Sequence, residues 1–388
     1  MRVVIAGGGV AGSACAVALA HSGHAVTVYE AYEDPAGPVG SFLSLAANGL
    51  RGLAVLGCLP AVQEAGIPVA RQRMWSGRGK LLGDVPRGRR GGDPLLSVTL
   101  MRADLVSVLR AAAVRSGARF VTGTRLSASD LRAVAAPGPG SISRTVAGAD
   151  LVIGADGIWS AARSAIDPDA RGPAYAGLYS VSGTSAGLDL EPGSWNFIFA
   201  RHGAFIWLQA PGQTTWWSAQ VSGPAPADLS AVGPEALSAL FRSEATAVRI
   251  LGATRARHGA TQHHVLAPVR RRHDDRIALV GDAAHPVGAG QGASMAIEDA
   301  IALARQLQAG ASVPAALARF DEVRRARVGK MAKSAASNRD AKTAGAVTAR
   351  FREMIMPLVF SRVYERATGW LYDYDPGTLA EQATAIRA

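Results

Sequence analysis

The chain is poor in cysteine, lysine and aromatic residues: two cysteines, four lysines among 41 basic residues, and 6% aromatics in 388 residues. Cys15 and Cys58 offer neither a disulfide framework nor a metal-ligand spacing, and they fit a reducing cytoplasm. No apolar run approaches the ~20 residues that a membrane span needs. The net charge of +11 rests on scattered arginines, and the one dense run, Arg270-Arg271-Arg272, stands just before a segment that reads as a buried strand. No nucleic-acid partner is expected from that pattern; a compositional habit toward arginine, or attraction of anionic cofactors and substrates, explains it. Internal repeats are absent. At 48% hydrophobic the chain has material for a proper core. Its length exceeds what one core usually holds, so a large and a smaller lobe are expected. The Gly/Pro-rich stretches at 87–94 and 137–140 read as surface loops.

What the chain does have is a glycine-rich opening. Arg2 to Ala6 is a short apolar, β-branched run suited to a buried parallel strand. Gly7, Gly9 and Gly12 then fit the G-x-G-x-x-G spacing of a dinucleotide turn: one permits the turn, one lets backbone approach a pyrophosphate, one lets helix pack on strand. A helix from about Val10 through Leu19 stops at Gly23, with its free amides and positive dipole end toward the phosphates. Val26 to Tyr29 reads as a second strand ending at Glu30, whose carboxylate is placed to accept ribose hydroxyls. A secretory signal has a similar outline, but the glycines interrupt its hydrophobic core and the strand and acid would go unexplained.

A second segment, Leu279-Val280-Gly281-Asp282-Ala283-Ala284-His285-Pro286, continues to Gly290-Gln291-Gly292 and Glu298-Asp299-Ala300. Between the two lies Leu151-Val152-Ile153-Gly154-Ala155-Asp156-Gly157-Ile158-Trp159-Ser160, with Arg163 after it. In this order, over nearly the whole length, the chain resembles the group A FAD-dependent monooxygenases, the para-hydroxybenzoate hydroxylase-like family. The helical tail with Trp370-Leu371-Tyr372-Asp373-Tyr374-Asp375 is compatible with that resemblance.

The resemblance implies an α/β fold: a Rossmann-like FAD-binding domain of the glutathione reductase type, an inserted α+β substrate domain, and a C-terminal helical region. The expected division is 1–68, 95–165 and 265–340 for FAD, 69–94 and 166–264 for substrate, and 341–388 for the extension. It further implies that Glu30 binds the adenosine ribose, the amides of Val10 and Ala11 the pyrophosphate, and Arg102 the phosphates or ribityl chain. Leu126 would give a backbone contact to adenine, and Asp282 would hold the ribityl hydroxyls. Gly290-Gln291-Gly292-Ala293 would offer amides to the flavin's O2 and N1 edge, where a helix N-terminus stabilises the charge of the reduced ring. Asp156-Gly157 is the family's motif near the pyrophosphate, also linked to the nicotinamide cofactor; its alternative is a structural turn. The sequence departs from the family in two places. The loop after Pro286 reaches Gln291 about two residues early without a second proline, and Ala47 replaces a usual proline in Leu43-Ser44-Leu45-Ala46-Ala47-Asn48.

Between the half-sites, Trp195–Phe199, Ala204–Leu208 and Thr214–Ser218 read as an antiparallel meander. Trp195, Phe197 and Phe199 alternate onto one face, and Phe205, Trp207 and Gln209 do likewise, so such a face could wall a flat apolar substrate. Leu45, Phe197, Phe199, Phe205 and Trp207 are the candidate substrate residues; the alternative is that sheet aromatics are simply core. No catalytic acid, base or nucleophile stands out, and His263-His264 lack the further ligands of a metal site. The resemblance implies an activity carried by the flavin, as follows. NAD(P)H reduces FAD, dioxygen forms the C4a-hydroperoxide, and one oxygen passes to an aromatic ring or alkene. No second G-x-G-x-x-G unit serves the nicotinamide. The alternatives are a flavin oxidase and a non-redox cyclase or binding protein with structural FAD; a halogenase is disfavoured because Trp207-Leu208-Gln209-Ala210-Pro211 misses its motif.

Overall fold

The strand Arg2–Ala6 takes the middle of a five-stranded parallel sheet because its side chains are apolar on both faces. A computed structural model describes residues 1–34, 37, 41–134, 145–287, 290–310, 312–342, 360 and 363–380, with side chains through residue 334 of the helix Val313–Lys342. The loop expected at 137–140, and residues 288–289 of the shortened loop, lie outside that set.

Across the sheet the strands run Ile277–Leu279, Leu151–Gly154, Arg2–Ala6, Ala25–Tyr29 and Arg119–Val121. Val3 and Ile5 face a layer that holds the helices Val10–His21, Arg102–Arg115 and Gly292–Gln308; Val4 and Ala6 face a second layer with Leu131, Val146, Ala162 and Ile166. The first helix begins and ends where the glycine pattern predicts. Small residues let it lie close to its neighbours: a Cβ on Gly12 would stand 1.8 Å from the Gly7 carbonyl oxygen. Gly7 itself turns at φ +101°, a conformation that a side chain would strain, with Ala155 backbone against it.

An eight-stranded sheet forms the second layer system, in the order Thr254–Arg257, Ala174–Ala186, Thr214–Ser222, Gly203–Gln209, Ser194–Ala200, Arg71–Ser76 and Leu81–Pro86, with Thr261–Val265 also paired to Ala174–Ala186. The meander is present, each strand a little longer than its aromatic run. Register decides which aromatics share a face. Phe197 pairs with Ile206, while Phe205 pairs with Ile198, and directly opposed residues project the same way. Trp195, Phe197, Ile206 and Leu208 therefore form the near face; Ile198, Phe205, Trp207 and Trp217 form the far one.

The far face is closed by the helices Pro234–Leu240 and Ala245–Gly252, with Phe205 stacked on Trp217 at 6.0 Å and edge-on to Phe241 at 5.6 Å. Phe205 is fully buried there and Trp207 nearly so. The expectation that these two wall a substrate is corrected: they are the core that holds helices to sheet. Leu45 is likewise fully buried, in the main core, and offers no surface to a ligand. Phe199 lies on the near side with Met74, Leu82 and Val85.

A short antiparallel sheet of Phe42–Leu45, Ser97–Met101 and Ile67–Val69 joins these layers. The C-terminal segment returns across them, packing Leu371 and Tyr372 onto Ala46, Val287, Met295 and Val328. Among the described residues no helix is long and apolar enough to cross a membrane.

Candidate flavin site

Glu30 ends its strand buried, with one carboxylate oxygen accepting from the Gly8 amide at 2.6 Å and the other from the Tyr32 amide at 2.9 Å. These bonds fix the carboxylate beside the glycine turn and leave lone pairs on both oxygens for hydroxyl donors. The helix Val10–His21 starts at Gly9 with no side-chain cap and no acid in its first turn, so its leading amides are open to an anion. Arg102 completes the cradle: a Cβ on Gly9 would lie 3.2 Å from its guanidinium. Leu126 belongs to the loop that runs past Glu30, where Thr124 donates to the Glu30 carbonyl at 2.8 Å, although its side chain points into the core.

The second half-site meets the first through a glycine. Gly281 turns at φ +57° with the position of its missing Cβ only 2.8 Å from Ala11 at the start of the first helix. Asp282 follows and lines a cleft of about 560 Å³ together with Trp159, His264, Pro286 and Gly292. Protein surrounds Asp282 on most sides, yet its side chain still meets solvent through the cleft. Burial pushes its carboxyl up, while His285 and Arg102 pull it back down. The helix Gly292–Gln308 opens without a side-chain cap or an early acid, beside Asp282. Gly290, Gln291, Gly292 and Ala293 thus present an uncapped helix start to the same space.

A buried charge cluster holds this turn. One oxygen of Asp299 accepts from the Gly281 amide at 2.9 Å and pairs with His285 Nε2 at 2.6 Å; the other accepts from Arg324 Nε at 2.7 Å. Glu298 takes Arg324, Arg327 and the Asn48 amide at 2.6–2.8 Å. Burial alone would raise the Asp299 carboxyl, but His285, Arg324 and the Gly281 amide carry it well below the usual carboxylate range. Arg327 lies over Tyr374 and Trp370, so the cluster also anchors the tail. The sequence hint for Asp299 was an acid pair inside an otherwise apolar helix; Arg324 gave none, standing in a basic run that looks solvated.

Asp156 has a different task from the one expected of a ligand-facing acid. Its carboxylate accepts from Ser160 Oγ at 2.6 Å and from the Ala161 and Ala162 amides at 2.6 and 3.0 Å, capping the helix Ala161–Ile166. Arg163, from that helix, donates to the Ala283 carbonyl at 3.1 Å and the Ile158 carbonyl at 2.7 Å, tying this turn to the Asp282 turn. His263 is hydrogen-bonded to Ser180 at 2.6 Å, and no cluster among the described residues could hold a metal ion.

The donors present fit FAD: two uncapped helix starts, a carboxylate at the end of the second strand, an arginine over the glycine turn, and an acid between the halves. The chain matches the model of the FAD binding domain family, described as "FAD binding domain", over residues 1–335. It is 30% identical to the aurachin C monooxygenase/isomerase of Stigmatella aurantiaca, covering 84% of this chain and 85% of that one. It is 32% identical to the kynurenine 3-monooxygenase of Salinispora arenicola, covering 84% of this chain and 76% of the other. Its fold is similar to that of Klebsiella pneumoniae HpxO complexed with FAD and uric acid, with TM-score 0.78, 22% identity, and 95% and 96% of the two chains covered. A salicylate hydroxylase substrate complex aligns at TM-score 0.74 and 21% identity over 99% of both chains.

Proposed function

We propose a function from the premise that this chain belongs to the FAD binding domain family and is a group A flavoprotein monooxygenase, an FAD-dependent oxidoreductase. Its reaction is the NAD(P)H-dependent transfer of one oxygen atom from dioxygen to a flat, largely apolar aromatic or alkene small molecule. When bound, FAD supplies the redox chemistry, accepting hydride and activating dioxygen. The observation that carries this reading is the approach of Gly281 to Ala11, which sets Asp282 and an uncapped helix start beside the dinucleotide turn.

The chain's own residues bind, orient and enclose. Glu30, Arg102 and the amides of Val10 and Ala11 would hold the adenosine and pyrophosphate, with the Leu126 backbone beside the adenine. Asp282 would hold the ribityl hydroxyls. The start of the helix Gly292–Gln308 would place amides and a positive dipole end at the N1 edge, where negative charge develops on reduction. The near face of the large sheet, where Phe197 and Phe199 are only half-buried, would supply the apolar wall that keeps water from the reacting atoms. Backbone at Asp156-Gly157 borders the pyrophosphate in this reading, while the Asp156 side chain serves the helix behind it.

The test is oxidation of NADPH or NADH by purified FAD-loaded protein in the presence of candidate phenols and fused-ring heteroaromatics, with the product analysed after reaction under ¹⁸O₂. Substrate-stimulated oxidation and one labelled oxygen per product are expected. Substrate-dependent hydrogen peroxide without nicotinamide would identify an oxidase instead, and turnover with FAD permanently oxidised would identify a non-redox enzyme.

A further inference from the structure

Arginines close the C-terminal end of the tail helix, residues 363–372. The last four carbonyls of an α-helix have no partner within it. Here Gly369 accepts from the Asp373 amide at 2.9 Å, Trp370 and Leu371 accept from Arg327 at 3.3 and 3.1 Å, and Tyr372 accepts from Arg51. Cations also suit the negative pole at this end of a helix. The rings of Tyr374 and Trp370 cover Arg327, with centroids 3.9 and 5.7 Å from its Cζ.

Arg327 faces the flavin side as well. Its Nε donates to Glu298 Oε2 and its Nη2 to Oε1, both at 2.6 Å. Glu298 Oε2 also accepts from Arg324 at 2.8 Å, and Arg324 turns its Nε to Asp299, the acid that receives the Gly281 amide. Two buried guanidiniums thus balance two buried carboxylates, with Arg324 shared between the acids. Arg327 is the outer cation, and the tail is its cover. Were the tail to lift, water would reach Arg327 and weaken its hold on Glu298. The uncompensated carboxylate would then draw Arg324 from Asp299 and slacken the Gly281 turn.

We infer that Arg327 is a positioning residue for FAD, and that docking of the tail and binding of FAD strengthen each other although no tail residue belongs to the site described above. Such coupling is reciprocal: FAD holds the tail down by the same factor by which the docked tail favours FAD. The inference rests on the reading that FAD occupies the Gly281–Asp282 turn.

Hydrogen exchange of the full chain, with and without FAD, is followed by mass spectrometry over residues 363–376, with the helix Pro234–Leu240 behind the far face as reference. FAD is expected to slow exchange in the tail relative to that reference. Trp370→Ala/Tyr374→Ala strips both rings from Arg327 and is expected to weaken FAD binding roughly tenfold, an ordinary size for such coupling. Tyr374→Phe keeps the ring and should bind FAD as the unmodified protein does. Arg327→Lys keeps charge without the fork on Glu298 and should fall between the unmodified protein and Arg327→Met. In the Arg327→Met background, loss of the rings should weaken FAD no further, a non-additivity that a merely structural role would not produce. Equal tail exchange with and without FAD, unchanged affinity after loss of both rings, or full additivity with Arg327→Met overturns the proposal. The exchange comparison on the unmodified protein decides even if the variants fail to fold. Failure of the flavin reading itself shows separately, as no FAD uptake by the unmodified protein.

Discussion

Arg324 donates to Asp299 at 2.7 Å with both side chains almost wholly removed from solvent, 3% and 1% exposed, and through that carboxylate it reaches the Gly281 amide. A residue of the helix Val313–Lys342 thereby fixes the turn that carries Asp282.

Breaking that pair leaves buried charge. Arg324→Met is expected to destabilise the protein by about 3–5 kcal/mol, because Asp299 and Glu298 both lose a partner. Asp299→Asn should cost somewhat less and weaken FAD retention, since the Gly281 turn loses a charged acceptor. The Asp299 acidity lies below its unfolded value near 3.9, so its contribution is complete at neutral pH and disappears as pH falls through and below the ordinary carboxylate range. Urea unfolding of the two proteins from pH 7 down to pH 3 should show their difference shrinking toward acid; a constant gap would contradict the assignment.

Glu30→Gln tests the ribose acceptor. The amide oxygen can keep one of the bonds now made to Gly8 and Tyr32, but charge-assisted acceptance of hydroxyls is lost. FAD affinity, read by quenching of flavin fluorescence, should fall roughly 10- to 100-fold, and the melting temperature should drop as well, because one of the two backbone amides is left facing a donor.

Gly12→Ala is expected to prevent FAD binding and to destabilise the fold, because its Cβ would fall 1.8 Å from the Gly7 oxygen. Gly172→Ala, where a Cβ meets nothing within 4 Å, is the matched control and should be silent. Flavin content after purification separates the two.

The two faces of the large sheet make opposite predictions. Phe205→Ala opens a cavity between sheet and helices and should cost about 3–5 kcal/mol while leaving KM near its original value. Phe197→Ala should raise KM with a smaller loss of stability. Thermal melting and steady-state kinetics together distinguish them, and a reversed pattern would invalidate the assignment of faces.

Cys15 and Cys58 are buried and free. Burial pushes the Cys58 thiol up to about 11, against a small opposing pull from Arg115, and Cys15 higher still. At pH 8 the native protein should show no fast reaction with a disulfide reagent, and two thiols should appear after unfolding in guanidinium. Both thiols stay neutral in the fold, so their effect on stability is nil below about pH 8.5 and destabilising as pH rises toward 11.

Much of the scaffold could be read locally. The strands Arg2–Ala6 and Ala25–Tyr29, the first helix and the meander fall where apolar runs, alternation and glycine placement put them. The near and far faces could not, because Phe197 and Phe205 have the same local pattern and differ only in which partner each opposes across the sheet. Asp156 illustrates the same limit: an acid before a glycine suits a ligand or a cap equally, and the carboxylate turned to the helix start.

The amino-acid order alone determined a glycine turn between buried strands, an acid at the second strand's end, and a returning Gly-Asp segment. These follow from steric and hydrogen-bonding demands within a few residues. Tertiary structure decided which aromatics the two helices cover, that Arg324 crosses to Asp299, and that Arg87 lies over Trp195. Each depends on strand register or on pairing between segments distant in the chain, where side chains are matched by position in space and no local spacing encodes the partner.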